Sequence, residues 1–111
     1  MINTERRDKI DIVTFDVSKI DALITEELKE ELVRVFGNGT SKVILNLKGV
    51  NYMDSSGFSC LLATLKTARN NYCVLKLASP EPAVKQVLET LHLHTVFEIY
   101  DDLDSCLRSM N

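Results

Sequence analysis

The chain has 111 residues, 45% of them hydrophobic, and a formal net charge of −3. That length suits one α/β-sized domain able to bury roughly two-thirds of its unfolded surface without staples, and charges of both signs are interspersed, which excludes the basic stripe of a nucleic-acid binder. No run approaches the ~20 apolar residues of a bilayer span, so no membrane contact is expected. Cys60, Cys73 and Cys106 are odd in number and show no CxxC spacing, so they read as buried small hydrophobes in a reducing compartment. The segment Met1 to Arg7 lacks the apolar core of a signal peptide, and the expected location is cytoplasmic.

In chain order, residues 1–8 are expected as a short edge strand or a loose N-terminus. Ile10 to Phe15 mixes β-branched and aromatic residues and predicts a strand ending near Val17. From Leu23 the period changes: Ile24, Leu28, Leu32, Val35 and Phe36 fall at helical spacing, with Glu26, Glu27, Lys29, Glu30 and Arg34 opposite. Gly37-Asn38-Gly39 stops that helix, because glycine and asparagine accept left-handed backbone. Val43 to Leu47 is nearly continuously apolar, as in a strand covered on both faces. Phe58, Leu61, Leu62, Leu65 and Ala68 mark a second helix, Cys73 to Ala78 another strand, and Val84, Val87, Leu88 and Leu91 a third helix behind Pro80 and Pro82. Val96 to Tyr100 predicts a last strand, and Leu103, Leu107 and Met110 a final helix with Asp101, Asp102 and Asp104 at its positive end. Such alternation predicts one α/β domain over residues 1–111, a mixed four- to five-stranded sheet with about four helices.

The informative segment is Asp54-Ser55-Ser56-Gly57-Phe58, which joins the most apolar strand to the second helix. Aspartate and serine are natural caps for the orphan N–H groups of a first turn. Capping needs one such residue, however, and here three stand in a row where functional groups gather in open α/β sheets. Free N–H groups and the positive helix end also suit an anion, so a phosphoserine fits there without melting the helix. A phosphate beside Asp54 would recharge the local surface.

From about Ile12 onward the chain resembles the STAS superfamily, and within it the bacterial anti-sigma factor antagonists. Ser18-Lys19-Ile20-Asp21 followed by Thr25 and Leu28, the stretch Val43 to Phe58, and Ser79-Pro80 with Ala83-Val84-Lys85, Leu88 and Leu93 carry the resemblance. It departs from the family at Ser18, at Phe58-Ser59 and at His92, where glycine, Leu-Gly and often glycine are usual. The resemblance implies that Ser55, with Ser56 as second candidate, is phosphorylated by a partner that is both serine kinase and anti-sigma factor. The unphosphorylated form would bind that partner and free a sigma factor, phosphorylation would end the binding, and a serine phosphatase would reverse it. Asp21, Asp54, Ser55, Ser56, Gly57 and Phe58 are the implied partner-binding residues. Another STAS role, a constitutive binding module such as an accessory subunit of a lipid-transport or stressosome-type assembly, is the alternative.

No enzyme, metal site or cofactor is expected. A serine nucleophile needs a base and an oxyanion hole, only His92 and His94 could serve as base, and Gly-x-Ser-x-Gly is absent. The two histidines and three scattered cysteines make no zinc pattern, and no phosphate-binding glycine loop is present.

Overall fold

A computed structural model describes residues 1–37 and 39–111. Seven strands and four α-helices follow one another along the chain: β1 (Ile2–Arg7), β2 (Ile10–Phe15), β3 (Lys19–Ile20), α1 (Thr25–Val35), β4 (Lys42–Asn46), β5 (Tyr52–Met53), α2 (Ser55–Asn70), β6 (Val74–Ala78), α3 (Pro82–Thr90), β7 (Ile99–Tyr100) and α4 (Leu103–Ser109), with a 3₁₀ turn at Leu93–Thr95. Five strands form a mixed sheet in the order β1-β2-β4-β6-β7. The β1–β2 pair is antiparallel, and the remaining neighbours are parallel. The expected α/β domain with a mixed sheet and four helices is what the chain forms.

Because the parallel strands advance in one direction across the sheet, right-handed crossovers place α1, α2 and α3 on the same face. Leu28 and Leu32 of α1, Leu61 and Leu65 of α2, and Val84 and Leu88 of α3 meet Val13, Val43, Leu45 and Leu77 there in the main core. The other face is covered by α4, whose Cys106, with Met110 just beyond the helix, packs on Ile10, Ile12, Ile44 and Ala78. Two lysines bind the end of that helix. Lys42 Nζ donates to Met110 O at 2.7 Å, and the buried Lys76 reaches Ser109 O at 3.2 Å and Ser109 Oγ at 3.0 Å while pairing with Glu98 at 2.9 Å. Cations at a helix C-terminus satisfy the carbonyls that have no intrahelical donor.

Several expected elements shift. The first residues form a full six-residue edge strand along β2. The first helix begins at Thr25 rather than Leu23, which stands 92% exposed in the preceding loop. It ends at Val35 with Phe36 as C-cap, and Asn38 of the expected stop lies outside the described residues. Leu62, Val87 and Leu91 point outward despite their apolar spacing. The last strand shrinks to Ile99–Tyr100, since Leu93 to Thr95 take a 3₁₀ turn and Phe97 folds into the core. His92 sits in left-handed backbone at φ 57° after α3, the position where glycine would be least strained.

A second, two-stranded sheet is a structural addition. In it β3 pairs in parallel with β5, Lys19 beside Tyr52 and Ile20 beside Met53. Segments this short carry no sequence periodicity of their own, so their pairing follows from tertiary packing. The small sheet closes the end of the domain where β2 and β4 finish.

Candidate functional site

The start of α2 is built by Asp54. Its backbone is extended, and its carboxylate is split between two segments: Oδ1 accepts from Gly57 N at 3.0 Å, and Oδ2 accepts from Ala22 N at 3.3 Å. One oxygen therefore caps the helix and the other fixes the loop before α1. Asp54 N donates to Ile20 O at 3.2 Å, which continues the β3–β5 pairing. Asp21 finishes the loop: its Oδ1 accepts from Leu23 N at 3.0 Å and its carbonyl from Ile24 N at 3.1 Å, an Asx turn of the kind short acidic side chains favour.

Gly57 is required by packing. A Cβ there would lie 2.3 Å from Met53 Cγ and 2.8 Å from Ile20 O, so the first turn of α2 rests directly on the small sheet. Phe58 lies in the main core at 4% exposure. Gly57 and Phe58, both named among the implied partner-binding residues, are buried: Phe58 begins the apolar stripe of α2, as its spacing predicts, and Gly57 allows the helix to approach.

The two serines differ from the rest of the turn. Capping is done by Asp54 alone, and among the described residues neither Ser55 nor Ser56 has a side-chain hydrogen bond or an acceptor for its backbone N–H. Ser55 is exposed and Ser56 half-buried. They open onto a groove of about 300 Å³ between α1 and α2, lined also by Thr25, Glu26, Lys29, Ser59, Cys60 and Ala63. Burial pushes the Cys60 thiol up against the opposing pull of the Lys29 ammonium, so the groove floor carries a neutral thiol. The groove is therefore hydroxyl-rich, with the Lys29 ammonium and the Glu26 carboxylate both in its lining, and it ends at a helix terminus that favours negative charge.

Asp21, Asp54, Ser55 and Ser56 are thus brought together at one end of the sheet. Leu23, Tyr52 and Lys29 join them without having been singled out by sequence. The Asp21–Leu23 turn signal could have found the first. For Tyr52, strand alternation against the buried Met53 would have served. His92 and His94 sit after α3, ring centroids 5.9 Å apart, at the end of the sheet where the parallel strands begin and away from the serines. Asp102 caps α4 through Ser105 N at 2.7 Å, and Asp101 pairs with Lys85 at 2.8 Å. Among the described residues no helix is long and apolar enough to cross a membrane, and no group of three or more His, Cys, Asp or Glu side chains is placed to hold a metal ion.

Residues 1–106 match the STAS domain family. An anti-sigma-B factor antagonist of Staphylococcus aureus is 28% identical over 81 residues, which span 73% of this chain and 75% of that protein. The solved structure of an anti-sigma-factor antagonist (STAS) domain protein from Planctomyces limnophilus superposes with a TM-score of 0.89 at 19% identity, over 98% of this chain and 97% of the other. The Bacillus cell fate determinant SpoIIAA in its phosphorylated form aligns over 100% of each chain with a TM-score of 0.73 at 15% identity. At these identities the likeness to the solved structures is one of fold.

Proposed function

The chain belongs to the STAS domain family, and from that premise we propose that it acts as an anti-sigma factor antagonist switched by phosphorylation of Ser55. Unphosphorylated, it binds a cytoplasmic anti-sigma factor that is also a serine kinase, and a sigma factor is released. Phosphorylation ends the binding, and a serine phosphatase restores it. The chain works by binding rather than by catalysis.

One observation carries this reading: the Ser55 hydroxyl is exposed and idle. A serine conserving only the helix would be using its oxygen as a cap, and here Asp54 does that work. The unpartnered N–H groups of Ser55 and Ser56 can receive a phosphate where the helix dipole favours it, while the adjacent Asp54 carboxylate ensures that the added charge alters the surface. The name of the Staphylococcus aureus relative and the phosphorylated form of SpoIIAA on the same fold support the same reading.

Incubating the protein with the purified cognate anti-sigma factor and ATP, followed by fragment mass spectrometry, should place one phosphate on Ser55. Phosphate on Ser56 or Ser59 alone, or none, would overturn the assignment.

A further inference from the structure

Among the described residues nine large apolar side chains are substantially exposed, and isolated ones need no explanation. Leu23 is different. It is 92% exposed, yet its backbone is held by three hydrogen bonds: Leu23 N is bound to Asp21 Oδ1, Ile24 N to Asp21 O, and the neighbouring Ala22 N to Asp54 Oδ2. A leucine kept rigidly in water contributes nothing to the fold. Tyr52, 51% exposed, stands on the small sheet opposite Lys19 and two residues before Asp54. Tyr72, as exposed as Leu23, sits instead past the C-terminal end of α2, at the other end of the sheet. In the chain Leu23 is flanked by Asp21, Glu26 and Glu27 against Lys19 and Lys29, and the Asp54 carboxylate is bound to the neighbouring Ala22 N.

We propose that Leu23, supported by Tyr52 on the small sheet, is the apolar anchor of the partner-binding surface, and that the partner receives it in an apolar socket rimmed by basic side chains. This rests on the antagonist reading above and adds the residue that supplies its affinity. Interfaces draw most of their free energy from a few desolvated anchors, and aromatic and large apolar side chains fill that role. A pre-ordered loop adds to it, since no freedom is lost on docking. The acidic surround steers a basic surface towards the site. A phosphate on Ser55 brings its hydration shell into this contact, and an apolar socket offers nothing in exchange.

The test is calorimetry of the unphosphorylated chain against the purified anti-sigma factor of the same organism. Leu23→Ala should bind about tenfold or more weakly, the size expected for losing one buried leucine, with its thermal midpoint unchanged because the side chain touches little in the fold. Leu23→Met should restore most of the affinity, Tyr52→Ala should lose less than Leu23→Ala, and Leu62→Ala, an exposed leucine on the outer side of α2, should bind as wild type. Glu26→Lys with Glu27→Lys should slow association and flatten its salt dependence. Wild-type affinity in Leu23→Ala overturns the anchor, and unchanged association kinetics in the double lysine variant overturn the basic rim. If the wild-type chain itself does not bind the anti-sigma factor, the antagonist reading falls and the anchor with it, an outcome distinct from the other two.

Discussion

Two aspartates stand near opposite ends of the parallel strands and use their carboxylates in opposite ways. Asp11, near the start of β2, is buried and saturated by side chains. Arg6 across the β1–β2 ladder donates from Nε at 3.0 Å and Nη2 at 2.9 Å, and the Thr40 hydroxyl lies 2.7 Å from Oδ2. The Arg6 hydrogen bonds hold the Asp11 carboxyl below the usual range, with Thr40 adding to the effect against burial. Asp54, where β5 gives way to α2, is half-exposed and spends both oxygens on backbone N–H groups. The first arrangement spends both Asp11 oxygens on side chains of the fold. The second fixes two chain segments with one side chain and leaves the neighbouring hydroxyls idle. A closed network stabilises, whereas a backbone-directed clamp frames a site.

The largest expected effect comes from disturbing the packing on which the clamp stands. Gly57→Ala forces a Cβ against Met53 and the Ile20 carbonyl, and the second of these is backbone that cannot swing aside. Overpacking of this kind costs about 3 kcal/mol, visible as a lower urea midpoint with an unchanged slope. A variant as stable as wild type would mean that α2 can shift off the small sheet, and the site would then be less rigid than the contrast requires.

Next is the closed network. Asp11→Ala removes the partner of Arg6 and Thr40 and should cost about 2 kcal/mol near neutral pH, the half-exposed Arg6 keeping the figure below that of a fully buried pair. The sign of its pH dependence follows from the lowered Asp11 pKa. A carboxylate depressed in the folded state contributes stability above its unfolded pKa and loses it as pH falls through the folded one. The difference between wild type and variant should therefore narrow on acidification. A constant difference would assign the cost to lost packing rather than to charge.

Asp54→Ala should cost about 1 kcal/mol, the usual value of an N-cap, and should speed amide exchange at both Gly57 and Ala22. Faster exchange at Gly57 alone would show that the loop carrying Leu23 is held by Asp21 and not by the clamp.

The parts of this contrast that were legible in the sequence are those with local chemistry. Ile10 to Phe15, Val43 to Leu47 and the stripes through Leu28 and Leu65 announce themselves by period, and Asp54-Ser55-Ser56-Gly57 by its run of capping residues. The rest depends on distant pairing. The β3–β5 sheet joins two-residue segments that are far apart in sequence, so no window over the chain can show it. The Asp11–Arg6–Thr40 network spans a strand ladder and a loop. Leu62 turns outward while Phe58, Leu61 and Leu65 of the same stripe turn inward, because apolar spacing gives a stripe but not its edges against the sheet. The change of period at Leu23 marks the approach to α1 without its start, because the Asx turn at Asp21 holds Leu23 in the loop before the helix.

The smallest expected effect is the most diagnostic. Ser55→Ala removes a side chain that makes no hydrogen bond and stands exposed beside a cap supplied by Asp54. Its change in stability should stay within about 0.5 kcal/mol, the range of surface substitutions away from structural features, whereas a serine acting as cap would cost about 1 kcal/mol or more. In binding, the same variant should match the unphosphorylated wild type and fail to lose affinity when kinase and ATP are added. Ser55→Asp should instead weaken binding while leaving the amide spectrum of the free protein unchanged outside residues near the turn. A Ser55→Ala protein as destabilised as Asp54→Ala would show that the serine shares the work of the clamp, and the difference between the two ends of the sheet would shrink to one of exposure alone.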